Sequence, residues 1–230
     1  MTKLTPEQIT ENKTIFIDTL RSISRQGCNI EGLINKLESS DFFTAPASTK
    51  YHGSFEGGLC WHSLNVYRQL SRLVAEEAIS EMSDGTGTSY RLNSDDIIII
   101  DSDSIKITAL LHDFSKMNFY ETYIMNKKVY SPTGSKSDEQ GRFDWVAVQA
   151  YKVKEPENRF IFSTHGHTSE YMTSCFIPLK IEESAAITWH MGGMDAQNMS
   201  ADVSVVYNQY PLAMLLHLAD MVATYIDERV

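Results

Sequence analysis

The sequence predicts a mainly α domain carrying a small β-hairpin insertion, and three observations carry that prediction. Apolar residues recur at spacings of three and four along most of the chain, as on one face of a helix. One stretch, about residues 118–162, instead alternates aromatic and polar residues and contains a polar, turn-rich centre. The chain has 230 residues, 42% hydrophobic and 22% charged, enough for one substantial core and typical of a globular protein.

Taken in order, Thr5-Pro6-Glu7-Gln8 reads as a helix start, with Thr5 as N-cap, Pro6 in the first turn and Gln8 closing a capping box. Ile9, Ile15, Phe16, Leu20 and Ile23 form its apolar stripe, and Gln26-Gly27 is expected to end it. Ile30, Leu33, Ile34 and Leu37 mark a second helix. Residues 1–40 are thus expected to be N-terminal helices packed on a main domain of residues 41–230. The stretch 41–53 reads as extended. Gly57-Gly58 then precedes a long helix, about 59–79, whose inner face carries Leu59, His62, Val66, Leu70 and Leu73. His62 therefore falls on a buried stripe.

Residues 81–90, rich in Ser, Gly, Thr and Asp, are expected to form a loop, and 95–101 is open between strand and helix. Asp101 to Ser104 caps the next helix, which ends in Ala109-Leu110-Leu111-His112-Asp113. Residues 119–125 have strand character, Asn126-Lys127-Lys128 offers a turn, 131–142 is polar, and 143–148 alternates again, with 151–153 extending it. Ser163 to Ser169 opens a helix running to about Phe176, with Pro178 beyond it. Ile181 to Trp189 forms another, closed by His190-Met191-Gly192-Gly193. Tyr210-Pro211 opens the last, with Asp220 beside its apolar face.

Composition excludes some functions. The net charge of −10 argues against a nucleic-acid backbone as partner, which needs a basic footprint. No window approaches eighteen consecutive apolar residues, so no membrane span is expected. Met1 is followed by polar residues, and Cys28, Cys60 and Cys175 form no CxxC pair, so a reducing, cytoplasmic setting is expected.

The chemistry gathers on His62, His112, Asp113, His165, His190 and Asp220. Imidazole and carboxylate in apolar helical surroundings are costly unless something pairs with them, and a divalent metal is the natural partner. His167 is a second candidate beside His165. His217, one turn before Asp220, reads as an orienting or structural residue rather than a ligand. His52 and Glu56 stand close enough to His62 to reach a pocket, although a loop histidine in solvent is the alternative. Trp61 and Trp189 read as core, and the tyrosines of 119–151 either cover the core or stack on a nucleobase.

Gly57-Gly58-Leu59-Cys60-Trp61-His62-Ser63-Leu64, Leu110-Leu111-His112-Asp113-Phe114-Ser115-Lys116, His165-Gly166 with Ser169, Trp189-His190-Met191-Gly192 and Leu216-His217-Leu218-Ala219-Asp220-Met221 together resemble the HD-domain superfamily of metal-dependent phosphohydrolases, in the variant with extra inner histidines. The resemblance covers about residue 42 to 230. It implies an HD-domain helical bundle holding one or two divalent ions (Mn, Fe, Zn, Co or Mg). His62, His112, Asp113 and Asp220 would hold the first ion, Asp113 would bridge, and His165 and His190 would hold the second. Asp113 and Lys116 would be catalytic. Lys116, His52, Tyr120 and Tyr123 would meet a small phosphorylated substrate, a nucleotide or related molecule. Phe114-Ser115 stands where the family more often has a small pair. A di-iron oxygenase on the same fold, or a non-catalytic nucleotide sensor, is the alternative.

Overall fold

Helix α1 spans Pro6–Arg21 in a computed structural model of the chain that describes residues 3–83, 88–92, 98–161, 163–194 and 200–229. The expected capping box is present: Gln8 N–H donates to Thr5 Oγ1 at 3.3 Å, and Thr5 N–H donates to Gln8 Oε1 at 2.9 Å. The helix stops at Ser22, well before Gln26-Gly27. There the chain peels away so that Ile23 enters the core, Ser24 N–H donates to Asp103 and Arg25 reaches Glu183. Asn29 caps α2, Ile30–Glu38, whose stripe buries Leu33, Ile34 and Leu37.

Residues 41–53 are turns, not an extended run. Thr44 and Ala45 N–H both bond the Asp41 carbonyl, at 2.8 and 2.6 Å. The reason is that Phe42 and Phe43 are both buried, with ring centroids 5.1 and 5.7 Å from Phe16. A strand would send neighbouring side chains to opposite faces. The chain then folds back so tightly that a Cβ on Gly58 would lie 1.9 Å from the Gly53 carbonyl oxygen, and Gly57 has φ of 79°, so both positions demand glycine. From there α3, Gly58–Glu77, buries Leu59, His62, Val66, Leu70 and Val74.

Residues 81–90 do not form a simple loop. Strands β1, Ser80–Ser83, and β2, Thr88–Arg91, pair antiparallel with Glu81 opposite Tyr90, and β3, Ile99–Asp101, joins β2. Their side chains are mostly exposed or half-buried, so backbone pairing rather than apolar alternation defines them. The ambiguous run 95–101 ends as strand; its residues 95–97, like 84–87 of the expected loop, lie outside the described residues. Helix α4, Ser102–Leu111, starts on Asp101, which accepts from Ser104 N–H at 2.7 Å.

After a 3₁₀ turn, Phe114–Lys116, the insertion is a long ribbon: β4, Tyr120–Tyr130, β5, Lys136–Asp138, and β6, Gly141–Val153, in the order β4-β6-β5. Asn126-Lys127-Lys128 is not a turn but strand, paired opposite Ala147, Val146 and Trp145. The ribbon is largely exposed on both faces, so polar residues cost nothing there. Then come α5, His165–Ser174, α6, Ile181–Trp189, α7, Ser200–Gln209, and α8, Pro211–Val222, followed by a π-helical turn, Ala223–Asp227. Helix α7 was not anticipated. The described residues thus form a mixed architecture of eight α-helices and two three-stranded antiparallel sheets, one more sheet than expected.

One apolar cluster joins α1, α2, α3 and α4 through Phe16, Leu20, Leu33, Leu59, Leu110 and Phe114. A second joins α3, α4, α6 and α8 through Val66, Leu70, Ala109, Ala186 and Leu216. His62 lies on α3 between Leu59 of the first and Val66 of the second. Among the described residues, no helix is long and apolar enough to cross a membrane.

Candidate metal centre

Five segments deliver the six side chains. His62 comes from the second turn of α3, His112 from the C-cap of α4 with Asp113 after it, His165 from the start of α5, His190 from the C-cap of α6, and Asp220 from α8. His62, His112, Asp113, His190 and Asp220 are buried. Two C-caps matter here. At a helix end the side chain is free to turn back, and His112 Nδ1 contacts the Ala109 carbonyl at 2.8 Å while His190 Nδ1 contacts that of Ile187 at 2.7 Å. A carbonyl only accepts, so each Nδ1 carries the proton and each Nε2 presents a lone pair inward.

Those lone pairs face other acceptors. Around Asp113 Oδ2 stand His112 Nε2 at 3.4 Å and His62 Nε2 at 3.8 Å; His62 Nε2 is also 3.3 Å from His112 Nε2 and 3.2 Å from Asp220 Oδ1. Around Asp113 Oδ1 stand His190 Nε2 at 3.6 Å and His165 Nε2 at 3.7 Å, themselves 3.1 Å apart. Four N/O donors at tetrahedral bond lengths of about 2.0–2.1 Å stand about 3.3 Å from one another, close to these separations. Asp113 Oδ1 is buried without a hydrogen-bond partner. A proton on His165 Nε2 can serve His190, but it leaves that oxygen bare. Three groups could hold a metal ion: His62 with His112 and Asp220, His112 with Asp113 and His190, and His52 with His62 and Glu228.

The electrostatics agree with cation affinity. Burial disfavours a charged His62, yet Glu228 and Asp220 outweigh it and raise its pKa to about 10. In effect a proton sits where the field would hold a cation. Burial, then the neighbouring His190, pushes His165 down to about 3, so it stays neutral with a lone pair available. Burial likewise opposes charge on Asp113, but Lys116 and His112 hold it well below the usual carboxylate range. Lys116 Nζ donates to Asp113 Oδ2 at 2.6 Å and, despite burial, stays charged through that contact.

The supporting contacts are specific. Ser115 N–H donates to Ser169 Oγ at 3.0 Å, and Ser115 Oγ donates to the His165 carbonyl at 3.0 Å, so the turn bearing Lys116 is tied to the helix bearing His165. A Cβ on Gly166 would lie 2.4 Å from the Thr188 carbonyl oxygen, so glycine lets α5 approach α6 and brings His165 to His190. His167 stays outside the cluster, its Nδ1 near Ser163 and Thr164. His217 Nδ1 donates to the His190 carbonyl at 2.6 Å and steadies it.

The cluster opens into a cavity of about 260 Å³. It is lined by His52, His62, Asp113, Lys116, His165 and Asp220 together with Tyr51, Met191, Met194, Met221, Thr224 and Tyr225. His52 packs 4.7 Å from the His62 ring, with burial, then His62, pushing its pKa down to about 4. Tyr120 and Tyr123 are not among the lining residues: Tyr120 is buried and donates to the Ala47 carbonyl at 3.2 Å, and Tyr123 lies exposed on the ribbon. Comparison with models of known protein families, with curated proteins and with solved structures finds no match.

Sequence reasoning missed Glu228. Its carboxylate lies 3.0 and 3.2 Å from His62 Nδ1 and accepts from Asn65 Nδ2 at 2.9 Å. The π-helical turn after α8 aims it inward, and nothing in the spacing of Asp227-Glu228 distinguishes it from solvated charge. The methionines and tyrosines of the lining were missed as well. Met221 sits one residue after Asp220, and Met191 one after His190; that adjacency is the signal that could have found them.

Proposed function

We propose that this chain is a metal-dependent phosphohydrolase of the HD-domain superfamily, cleaving a phosphate ester or anhydride of a nucleotide or related small molecule. The observation that carries the reading is Asp113: one oxygen faces His62 and His112, and the other, without a hydrogen-bond partner, faces His165 and His190. One bridging carboxylate between two imidazole sets suits two divalent ions, with Asp220 completing the first set. A bound divalent ion supplies a water of lowered pKa and offsets charge on phosphoryl oxygens.

The chain's own groups do the rest. Lys116, held charged by Asp113 and lining the cavity, offers a fixed cation to a phosphoryl oxygen. His52, neutral and with Nε2 buried and unpartnered, offers a polar contact to the substrate beside His62. Three free cysteines accord with a reducing, cytoplasmic setting.

The test is hydrolysis of mono-, di-, tri- and cyclic nucleotides, read as released phosphate or, for the cyclic ones, as the nucleoside monophosphate formed, by metal-stripped protein resupplied with Mn, Co, Mg or Zn. The reading expects hydrolysis that chelator abolishes and metal restores. Oxygen consumption by an iron pair without hydrolysis would replace it with an oxygenase. Nucleotide binding without turnover under any metal would make the chain a sensor.

A further inference from the structure

The lining of the cavity combines two kinds of side chain, and the combination bears on the substrate. Lys116 is the sole lysine or arginine lining it, and that amine already bonds Asp113. The residues outside the described portion (1–2, 84–87, 93–97, 162, 195–199 and 230) contain no lysine or arginine, so none of them can add a cation to the site. Asp113 and Asp220 contribute negative charge to the same lining. Proteins that hold a triphosphate chain surround it with several fixed positive groups or a cradle of backbone N–H groups. Beside the metal centre, the lining of this cavity offers one fixed basic side chain, Lys116.

The rest of the lining is largely soft and apolar. Met191, Met194 and Met221 supply flexible, polarisable thioethers that adapt to a flat group. Tyr51 and Tyr225 stand at the mouth, 75% and 60% exposed, large rings in contact with water rather than with core. Aromatic rings placed so are suited to stacking on a planar ligand. The cavity, about 260 Å³, lies below the range of about 300–1,000 Å³ usual for drug-sized ligands, which leaves room for one phosphoryl group and one small organic group.

We propose that the substrate is a phosphate monoester of an alcohol that carries a flat group, the nucleoside monophosphate class, rather than a nucleoside di- or triphosphate. The inference rests on the hydrolase reading above. In the reaction a water oxygen forms a new bond to phosphorus and the ester P–O bond breaks. The alcohol leaves with a proton derived from that water, giving inorganic phosphate; nothing is oxidised or reduced.

The test compares kcat/KM of the full chain, loaded with Mn or Co, for a nucleoside mono-, di- and triphosphate, for p-nitrophenyl phosphate and for bis(p-nitrophenyl) phosphate. The monoesters should exceed the others by about tenfold or more. A second arm uses Tyr225→Ala and Tyr51→Ala, whose parent side chains are exposed and whose loss spares the core. Each should raise KM about tenfold for the nucleoside monophosphate, as lost stacking does, while leaving glycerol phosphate, which has no flat group, nearly unchanged. Preference for the triphosphate or the diester overturns the monoester assignment and leaves the hydrolase reading standing. Equal KM changes for both monoesters overturn the stacking role of the two tyrosines. Metal-loaded protein that hydrolyses none of these compounds overturns the hydrolase reading itself.

Discussion

Glu228 holds His62 from behind: its Oε1 lies 3.0 Å from His62 Nδ1, while His62 Nε2 faces Asp220 at 3.2 Å. A carboxylate on one ring nitrogen fixes the tautomer and makes the other a better donor to a cation. Glu228→Ala is expected to weaken metal binding by about 10–100-fold, measured by calorimetric titration of metal-stripped protein. It should also cost about 1–3 kcal/mol of stability, because Asn65 and His62 each lose a buried partner. Unchanged affinity would mean that Glu228 only fills space.

Gly166 sets the distance between two helices. A Cβ there would meet the carbonyl oxygens of Thr188 at 2.4 Å and Ile187 at 3.0 Å, and Ile187 is the residue that orients His190. Gly166→Ala should therefore push α5 off α6 and part His165 from His190, at a cost of about 1–3 kcal/mol. The expected outcome is a lower melting temperature together with weaker retention of one ion. A wild-type metal content and melting temperature would show that the helices adjust freely.

A third expectation separates folding from the site. Glu183 is fully buried and accepts from Arg25 Nη1 at 2.6 Å, Ser104 Oγ at 2.6 Å and Lys180 N–H at 2.9 Å. Arg25→Ala strands that charge and should cost about 3–5 kcal/mol. Chemical denaturation should show the loss, while the folded fraction keeps its metal. Loss of metal at full stability would mean that this pair serves the centre instead.

How much of this was legible in the sequence varies with the kind of constraint. His62 could be placed because α3 is amphipathic and its period puts that histidine among Leu59, Val66 and Leu70. His112 and Asp113 could be placed because Asp101 starts α4 and an apolar run leads to them. The early end of α1 could not, since it depends on Arg25 meeting Glu183, 158 residues away. Neither could the turn at 41–53, where two consecutive phenylalanines are buried by a fold-back rather than by alternation. The ribbon hid its length because a strand exposed on both faces has no reason to keep polar residues out of Asn126-Lys127-Lys128. Glu228 was invisible because its partner lies on α3, far away in the chain.

The central claim is that Asp113 bridges two ions. It is tested most directly by counting metal per chain with elemental mass spectrometry, on protein saturated with Mn or Co and freed of excess. The account predicts about two ions per chain in the wild type, about one in His165→Ala, and close to none in Asp113→Asn. Circular dichroism on the same samples should show all three folded. A folded wild type that retains no ion under saturating metal would contradict the account, and one that retains a single ion kept in full by His165→Ala would contradict the bridge.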